Sequence, residues 1–122
     1  MTTLLIALAG GLGATARFVL DGVVARRNPF RFPLGTVVIN VTGSLLLGLL
    51  TGAVVAYGGA DQVELVIGTG FLGGYTTFST ASVEAVRLAA GTRALALSFA
   101  HAVGMLVLSL AAAGLGLWLT TP

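Results

Sequence analysis

The chain contains no cysteine and no lysine, and charged residues make up only 8% of its 122 positions. The absence of cysteine excludes disulfides, thiolate metal sites and cysteine-based catalysis. A single histidine leaves no plausible catalytic triad or metal cluster, so we expect no enzyme activity. An average soluble domain has about 25% charged residues. This chain has too few charges to cover a soluble surface, so its composition predicts an integral membrane protein.

Basic charge is also scarce, although it outweighs acidic charge. Six arginines against four acidic residues give a net charge of +2, and the arginines are scattered along the chain. This is too little basic surface for nucleic-acid binding, so no nucleic-acid partner is expected. The N-terminal apolar run has no positive segment before it and is too long for a cleavable signal. It is therefore predicted to be the first membrane span.

Long apolar stretches dominate the chain, since 57% of its residues are hydrophobic. Four stretches reach the length of about 20 residues that a transmembrane helix needs. They cover approximately residues 2–24, 34–57, 63–90 and 95–119. The third stretch is longer than a straight crossing requires. We predict an all-α membrane protein with a single domain, residues 1–122, of four transmembrane helices, the third broken at its centre.

The arginines are distributed unevenly between the two sides of the predicted bundle. Five of them lie in or beside the loops after the first and third spans: Arg26, Arg27, Arg31, Arg87 and Arg93. The second loop and both tails carry none. Because basic residues concentrate on the cytoplasmic side of membrane proteins, loops one and three are predicted to be cytoplasmic and both termini to lie outside.

The third span contains a run of glycines and hydroxyl side chains at membrane depth, residues 68–80, with the sequence GTGFLGGYTTFST. Its glycine spacing matches a dinucleotide-binding fingerprint, but that motif requires a strand–helix–strand unit, which a helical bundle does not provide. A glycine-rich transmembrane helix can instead unwind and expose carbonyls that hold a cation. The predicted unwound residues are Gly73, Gly74, Tyr75 and Thr76.

Hydroxyl side chains surround Phe78 immediately after this predicted break. They belong to Thr77, Ser79 and Thr80. Hydroxyls donate hydrogen bonds, and a phenyl ring has a positive edge. Such a lining suits a small, hard anion that exchanges its water for neutral donors. Ser109, in the fourth span, is a candidate for the same polar path.

Asn40 is a strongly polar residue near the middle of the second span. It shares a helical face with Thr36, Ser44, Gly48 and Gly52. Small residues and amides both promote helix packing in membranes, and packing is the expected role of Ser44 and the two glycines. For Asn40 the alternatives are packing and an amide donor that points into a pore, and the pore role is favoured.

Ionisable residues within the spans are few. Arg17 either extends to the interface beside Asp21, four residues on, or is a buried cation that attracts an anion. Glu84 and Arg87 are three residues apart near the end of the third span and are predicted to form a surface pair. His101 is interpreted as a packing residue of the fourth span, with a functional role as the alternative.

Three segments resemble, in order, three motifs of the CrcB/Fluc family of fluoride channels. They are residues 10–18 (GGLGATARF), 35–44 (GTVVINVTGS) and 70–80 (GFLGGYTTFST). The resemblance spans nearly the whole chain. It implies an antiparallel dimer with two narrow fluoride pores and a central structural sodium ion.

Positions within these motifs imply roles for individual residues. The carbonyls of Gly73 and Thr76 would hold the sodium ion. Arg17 would lie near the aqueous vestibule. The implied lining residues of the fluoride path are Asn40, Phe78, Ser79 and Thr80.

Two positions depart from the family pattern. The family usually has a second phenylalanine where this chain has Ala81. Its fourth helix often carries a tyrosine where this chain has Met105, four residues before Ser109. A subunit that inserts in both orientations should show little arginine asymmetry. The departures and the arginine bias together lead to the hypothesis of a fixed-orientation subunit that pairs with an oppositely oriented paralogue. A homodimer is the alternative.

The resemblance implies a passive channel of the cell membrane that exports fluoride from the cytoplasm and lowers its toxicity. Passive flow requires only weak sites that the ion both enters and leaves. A proton-coupled small multidrug exporter is an alternative, but it would need a membrane-embedded carboxylate, and the first span offers only Asp21. A non-conducting partner subunit would explain the glycine-rich faces, but not Asn40 or the hydroxyl run.

Overall fold

A computed structural model describes residues 1–30, 32–58, 61–90 and 94–122. Arg31 and Arg93, which contribute to the predicted topology, lie outside these ranges. All regular structure within the described ranges is helical. The elements are α1 (Thr2–Arg27), α2 (Leu34–Tyr57), α3 (Asp61–Val63), a π-helix (Glu64–Leu72), α4 (Gly73–Tyr75), α5 (Ser79–Ala89) and α6 (Ala94–Thr120).

Within the described ranges, three helices are long and apolar enough to cross a membrane: Thr2–Arg27, Leu34–Tyr57 and Leu95–Thr120. The third predicted span is divided among the shorter segments α3, the π-helix, α4 and α5. The chain therefore forms an all-helical bundle of four helical regions, three of them single long helices.

Local sequence explains where the first two long helices end. Arg26 and Arg27 occupy the last turn of α1, where cations interact favourably with the helix dipole. Asn28 then donates from its side-chain amide to the Phe32 carbonyl at 2.7 Å and accepts from the Phe30 N–H at 3.0 Å. At the end of α2, Gly58 has φ of 69°, a conformation that glycine adopts without a Cβ penalty.

Glycines bring the helix backbones into close contact. A Cβ at Gly48 of α2 would collide with the Ala113 carbonyl of α6, and a Cβ at Gly116 of α6 would collide with the Leu45 carbonyl. On the other side of the bundle, Gly13 of α1 packs in the same way against the Phe71 carbonyl of the π-helix. Small residues permit this approach in membranes, and the packing role predicted for Gly48 is confirmed.

Adding a methyl group at Gly48 should destabilise the bundle. The new Cβ would meet backbone atoms of Ala113, which cannot rotate away, and overpacking of this kind costs about 1–3 kcal/mol. Gly114→Ala is the matched control, because a Cβ at that position meets nothing within 4 Å. Thermal unfolding in detergent should show a lower midpoint for Gly48→Ala only. Equal midpoints for the two variants would contradict this packing.

Few side chains are fully buried inside the single chain, and many large apolar side chains face outward. The interior includes Ile39, Leu72 and Tyr75. Phe18 of α1 and Trp118 of α6 are 82% and 72% exposed. Such a surface requires an apolar environment, which a lipid bilayer supplies.

The predicted placement of the unwound residues is wrong for three of its four positions. Gly73, Gly74 and Tyr75 form α4, whereas residues 76–78 lie outside both α4 and α5. Gly74 instead allows close packing, because a Cβ there would collide with the Gly10 carbonyl of α1. The helix ends at Thr76. Its N–H still donates to the Leu72 carbonyl at 2.9 Å, but its ψ of 161° is extended.

Candidate functional site

The Asn40 side chain holds the three-residue connection between α4 and α5. Its Oδ1 accepts from the Thr77 N–H at 2.8 Å, and its Nδ2 donates to the Thr77 carbonyl at 2.8 Å. The same nitrogen donates to the Met105 sulfur of α6 at 3.3 Å. Asn40 is 8% exposed, so these bonds form away from solvent. The amide satisfies backbone groups that the helix leaves unpaired where it stops.

The two hydrogen bonds between Asn40 and Thr77 also alter the hydrogen bonding of the neighbouring carbonyls. In a continuous helix the Thr77 N–H would donate to Gly73, but here it donates to Asn40. The Thr80 N–H would donate to Thr76, but it donates to the Thr77 hydroxyl at 3.2 Å. The carbonyls of Gly73 and Thr76 therefore lose their usual helical donors. Neutral carbonyl oxygens released in this way are suitable ligands for a hard cation.

A short row of hydroxyls lies at the beginning of α5. The Thr77 hydroxyl donates to the Thr80 hydroxyl at 3.1 Å and lies 3.3 Å from the Ser79 hydroxyl. The N-terminal end of a helix is also favourable for negative charge. The predicted lining residues Ser79 and Thr80 thus lie together with Thr77, where neutral donors can meet an anion.

Two cavities adjoin residues 76–78. An open groove of about 740 Å³ is lined by Asn40, Phe78 and Ser109, and also by Gly73 and Thr76. The Phe78 side chain is 87% exposed there. A second cavity of about 360 Å³ is lined by residues of α1, α2 and the connection. They are Ala14, Arg17, Phe18, Asp21, Thr36, Ile39, Thr77 and Thr80.

Thr77 lines both cavities, so the connection lies between them. The structure brings the predicted residues Asn40, Phe78 and Ser109 together in the groove. Arg17 and Thr80 line the second cavity instead. The Arg17 Nε and Ser109 Oγ atoms are buried and have no hydrogen-bond partner within the described ranges.

The two positions that depart from the family pattern also lie at the groove. Ala81 is 3% exposed, and Met105 contacts the Asn40 amide through its sulfur. A thioether is a weak acceptor, so Met105 holds one Asn40 hydrogen weakly. Of the hydrogen bonds that Asn40 makes, the one to Met105 is therefore the easiest for another acceptor to replace.

Sequence reasoning missed the surroundings of Glu84. The predicted surface pair with Arg87 is wrong, because the Glu84 carboxylate accepts from the Thr36 hydroxyl at 2.7 Å and lies 3.5 Å from His101. His101 is buried, as expected for a packing residue. The signal was present in the second span, since Thr36 lies one turn before Asn40 on the same face.

Known proteins match this chain over almost its full length. A family model described as "CrcB-like protein, Camphor Resistance (CrcB)" matches residues 4–117. The chain is 56% identical to fluoride-specific ion channel FluC 1 of Leifsonia xyli subsp. xyli, over 98% of this chain and 86% of that protein. It is 53% identical to fluoride-specific ion channel FluC 2 of Cutibacterium acnes, over 96% of this chain and 95% of that protein. A Rhodococcus jostii protein, also named fluoride-specific ion channel FluC 2, is 45% identical over 99% of this chain and 100% of its own length.

Proposed function

The chain belongs to the CrcB family, and we propose that it is a fluoride-specific ion channel of the cell membrane that exports fluoride passively from the cytoplasm. Fluoride enters acidified cells as neutral HF and is trapped inside as the anion, so a passive exit lowers its toxicity. The observation that carries the proposal is the connection between α4 and α5. It places neutral donors between two cavities and is held by a buried amide.

The chemistry of this connection suits fluoride. A small, strongly hydrated anion must exchange water for donors without being trapped by a fixed charge. The hydroxyls of Ser79 and Thr80 and the positive edge of Phe78 provide such donors. The Asn40 hydrogen held by the Met105 sulfur would be donated to an ion that displaces the sulfur in the groove. Ser109 adds a hydroxyl on the facing helix, and Arg17 attracts anions into the second cavity.

A structural sodium ion would be held by the carbonyls of Gly73 and Thr76, whose helical donors are engaged elsewhere. The ion would supply a fixed positive charge at the connection. Two carbonyls leave most of a cation's coordination shell open. A second subunit that presents the same pair would contribute two more ligands.

An antiparallel dimer would cover the groove and the outward-facing Phe78. The arginine bias supports a fixed orientation, with loops one and three cytoplasmic and both termini outside. A fixed orientation calls for an oppositely oriented paralogue as the partner. That partner would supply the phenyl and hydroxyl groups that Ala81 and Met105 do not provide.

Fluoride efflux from liposomes tests the channel function. Vesicles that contain the chain and the paralogue should release fluoride, measured with an ion-selective electrode, whereas chloride-loaded vesicles should not release chloride. No proton gradient is imposed, so release under these conditions also separates a passive channel from a proton-coupled exporter. Absence of fluoride release, or equal chloride release, would contradict the proposal.

The same assay with the chain alone tests the partner. A fixed-orientation subunit should give little fluoride efflux until the paralogue is reconstituted with it. Robust efflux from the chain alone would overturn the heterodimer and favour a homodimer with two orientations.

A further inference from the structure

A buried polar cluster lies beside the proposed ion path. It joins three helices and the first loop through Thr36 of α2, Glu84 of α5, His101 of α6 and Phe32. The Thr36 hydroxyl donates to Glu84 Oε1 at 2.7 Å, and His101 Nε2 lies 3.5 Å from Glu84 Oε2. His101 is 1% exposed, and the Phe32 ring packs against it edge-on, with the ring centroids 5.2 Å apart.

Three buried atoms of this cluster have no hydrogen-bond partner within the described ranges. They are Glu84 Oε2 and both ring nitrogens of His101. Buried polar atoms in folded proteins are nearly always paired, so a group of three needs a physical explanation. The unpaired carboxylate oxygen faces an unpaired ring nitrogen. One added proton, which makes the ring an imidazolium, converts this contact into a charge-assisted hydrogen bond.

We propose that Glu84 and His101 form a proton-binding site within the helical bundle, and that its charge controls anion entry into the adjoining cavity. Histidine is the side chain that ordinarily changes charge between about pH 5 and 8. Among the described residues, Asp21 on α1 and Arg87 on α5 are the other charged groups that act electrostatically on Glu84. Thr36 and Phe32, the other two members of the cluster, carry no charge.

Thr36 connects this site to the ion path. Its single hydroxyl hydrogen is donated to Glu84, yet the residue also lines the cavity that contains Arg17 and Thr80. When His101 is protonated, its positive charge offsets the charge of the Glu84 carboxylate and weakens the hydrogen bond that Thr36 donates to it. That hydrogen can then turn towards an anion in the cavity. Lower pH should therefore favour anion entry.

Nuclear magnetic resonance can detect the proton directly, because His101 is the only histidine in the chain. Protein labelled with ¹⁵N at histidine and purified with a tag free of histidine gives ring signals from one residue. In spectra recorded from about pH 5 to 8 the ring signals should report proton uptake, and Glu84→Gln should alter that pH dependence. Glu64→Gln is the matched control, because the Glu64 carboxylate also accepts from a threonine of α2, Thr51, at 3.2 Å.

Three results would overturn the proton site. They are a wild-type ring without a transition in this range, a transition that Glu84→Gln leaves unchanged, and an equal displacement in Glu64→Gln. The wild-type titration alone decides the first outcome, even if Glu84→Gln does not fold.

Fluoride efflux at symmetric pH tests the control of anion entry, and only this measurement rests on the proposed channel function. Efflux should rise by roughly tenfold from pH 8 to pH 6 in the wild type, because one unit charge changes beside a path of low dielectric constant. The rise should disappear in His101→Gln and persist in Glu64→Gln. Protein-free vesicles at each pH correct for leakage of HF. A flat wild-type profile, or an unchanged rise in His101→Gln, would refute the control of entry.

Discussion

Replacing Asn40 with alanine should abolish fluoride efflux and also remove the stabilisation that the proposed sodium site should give to the wild-type protein. The variant releases the Thr77 N–H, which now donates to Asn40 at 2.8 Å. That N–H can then form an ordinary helical bond to the Gly73 carbonyl, which would close the connection and occupy one of the proposed sodium ligands. The Thr77 carbonyl is left without its donor, at a cost of about 1–3 kcal/mol.

Thermal unfolding in sodium and in N-methylglucamine, together with efflux, checks this prediction. The wild type should unfold at a higher temperature in sodium, whereas Asn40→Ala should show one midpoint in both salts. Asn40→Asp separates the two roles of the residue. Its carboxylate still accepts from the Thr77 N–H and should keep the sodium effect, but its negative charge beside the groove should stop efflux.

Ser44→Ala is the control for this series, because Ser44 lies one turn further along the same face of α2 and also lines the groove. It should retain both the sodium effect and most of the efflux. A full sodium effect in Asn40→Ala would contradict the positioning role of the amide. The cation would then have to be held independently of the Thr77 N–H.

The sequence marked residues 68–80 as unusual but assigned Gly73 and Gly74 the wrong task. Glycine density at membrane depth suggested unwinding at Gly73 and Gly74, yet both lie in α4. Glycine permits unwinding and close packing equally well, and only the position of α1 decides between them. Gly74 is needed because the Gly10 carbonyl occupies the space of its missing side chain. The helix stops after Tyr75, where threonines begin to pair with the backbone.

Long-range partners explain what sequence reasoning could not supply. The position of Asn40 within an apolar span marked it as significant, but its partner Thr77 is 37 residues away. Helical spacing suggested Arg87 as the neighbour of Glu84, because only residues on the same helix can be paired by counting. The contacts of Glu84 instead come from α2 and α6. Polarity at depth is visible in a sequence, whereas the group that each polar atom faces depends on how the helices pack.

Replacing Phe78 with isoleucine should reduce fluoride efflux by about tenfold, which corresponds to ~1.4 kcal/mol, near the upper end of aromatic-edge interactions. The fold of the subunit should be unchanged. The Phe78 side chain is 87% exposed in the single chain, so its packing contributes little to that fold. Isoleucine retains an apolar side chain but has no positive ring edge to offer an anion. The loss should therefore appear in efflux, without a change in the unfolding midpoint.

Phe99→Ile is the matched control for Phe78→Ile, because Phe99 is a 69% exposed phenylalanine of α6 that is not among the residues lining the groove. It should leave efflux close to the wild-type value. Chemical cross-linking in the same vesicles should show equal dimer fractions for both variants, since isoleucine preserves the apolar contact. Efflux at the wild-type level in Phe78→Ile would show that the hydroxyl and amide donors hold the anion without the phenyl ring. Equal losses in both variants would instead assign the effect to general packing, because Phe78 lines the groove whereas Phe99 does not.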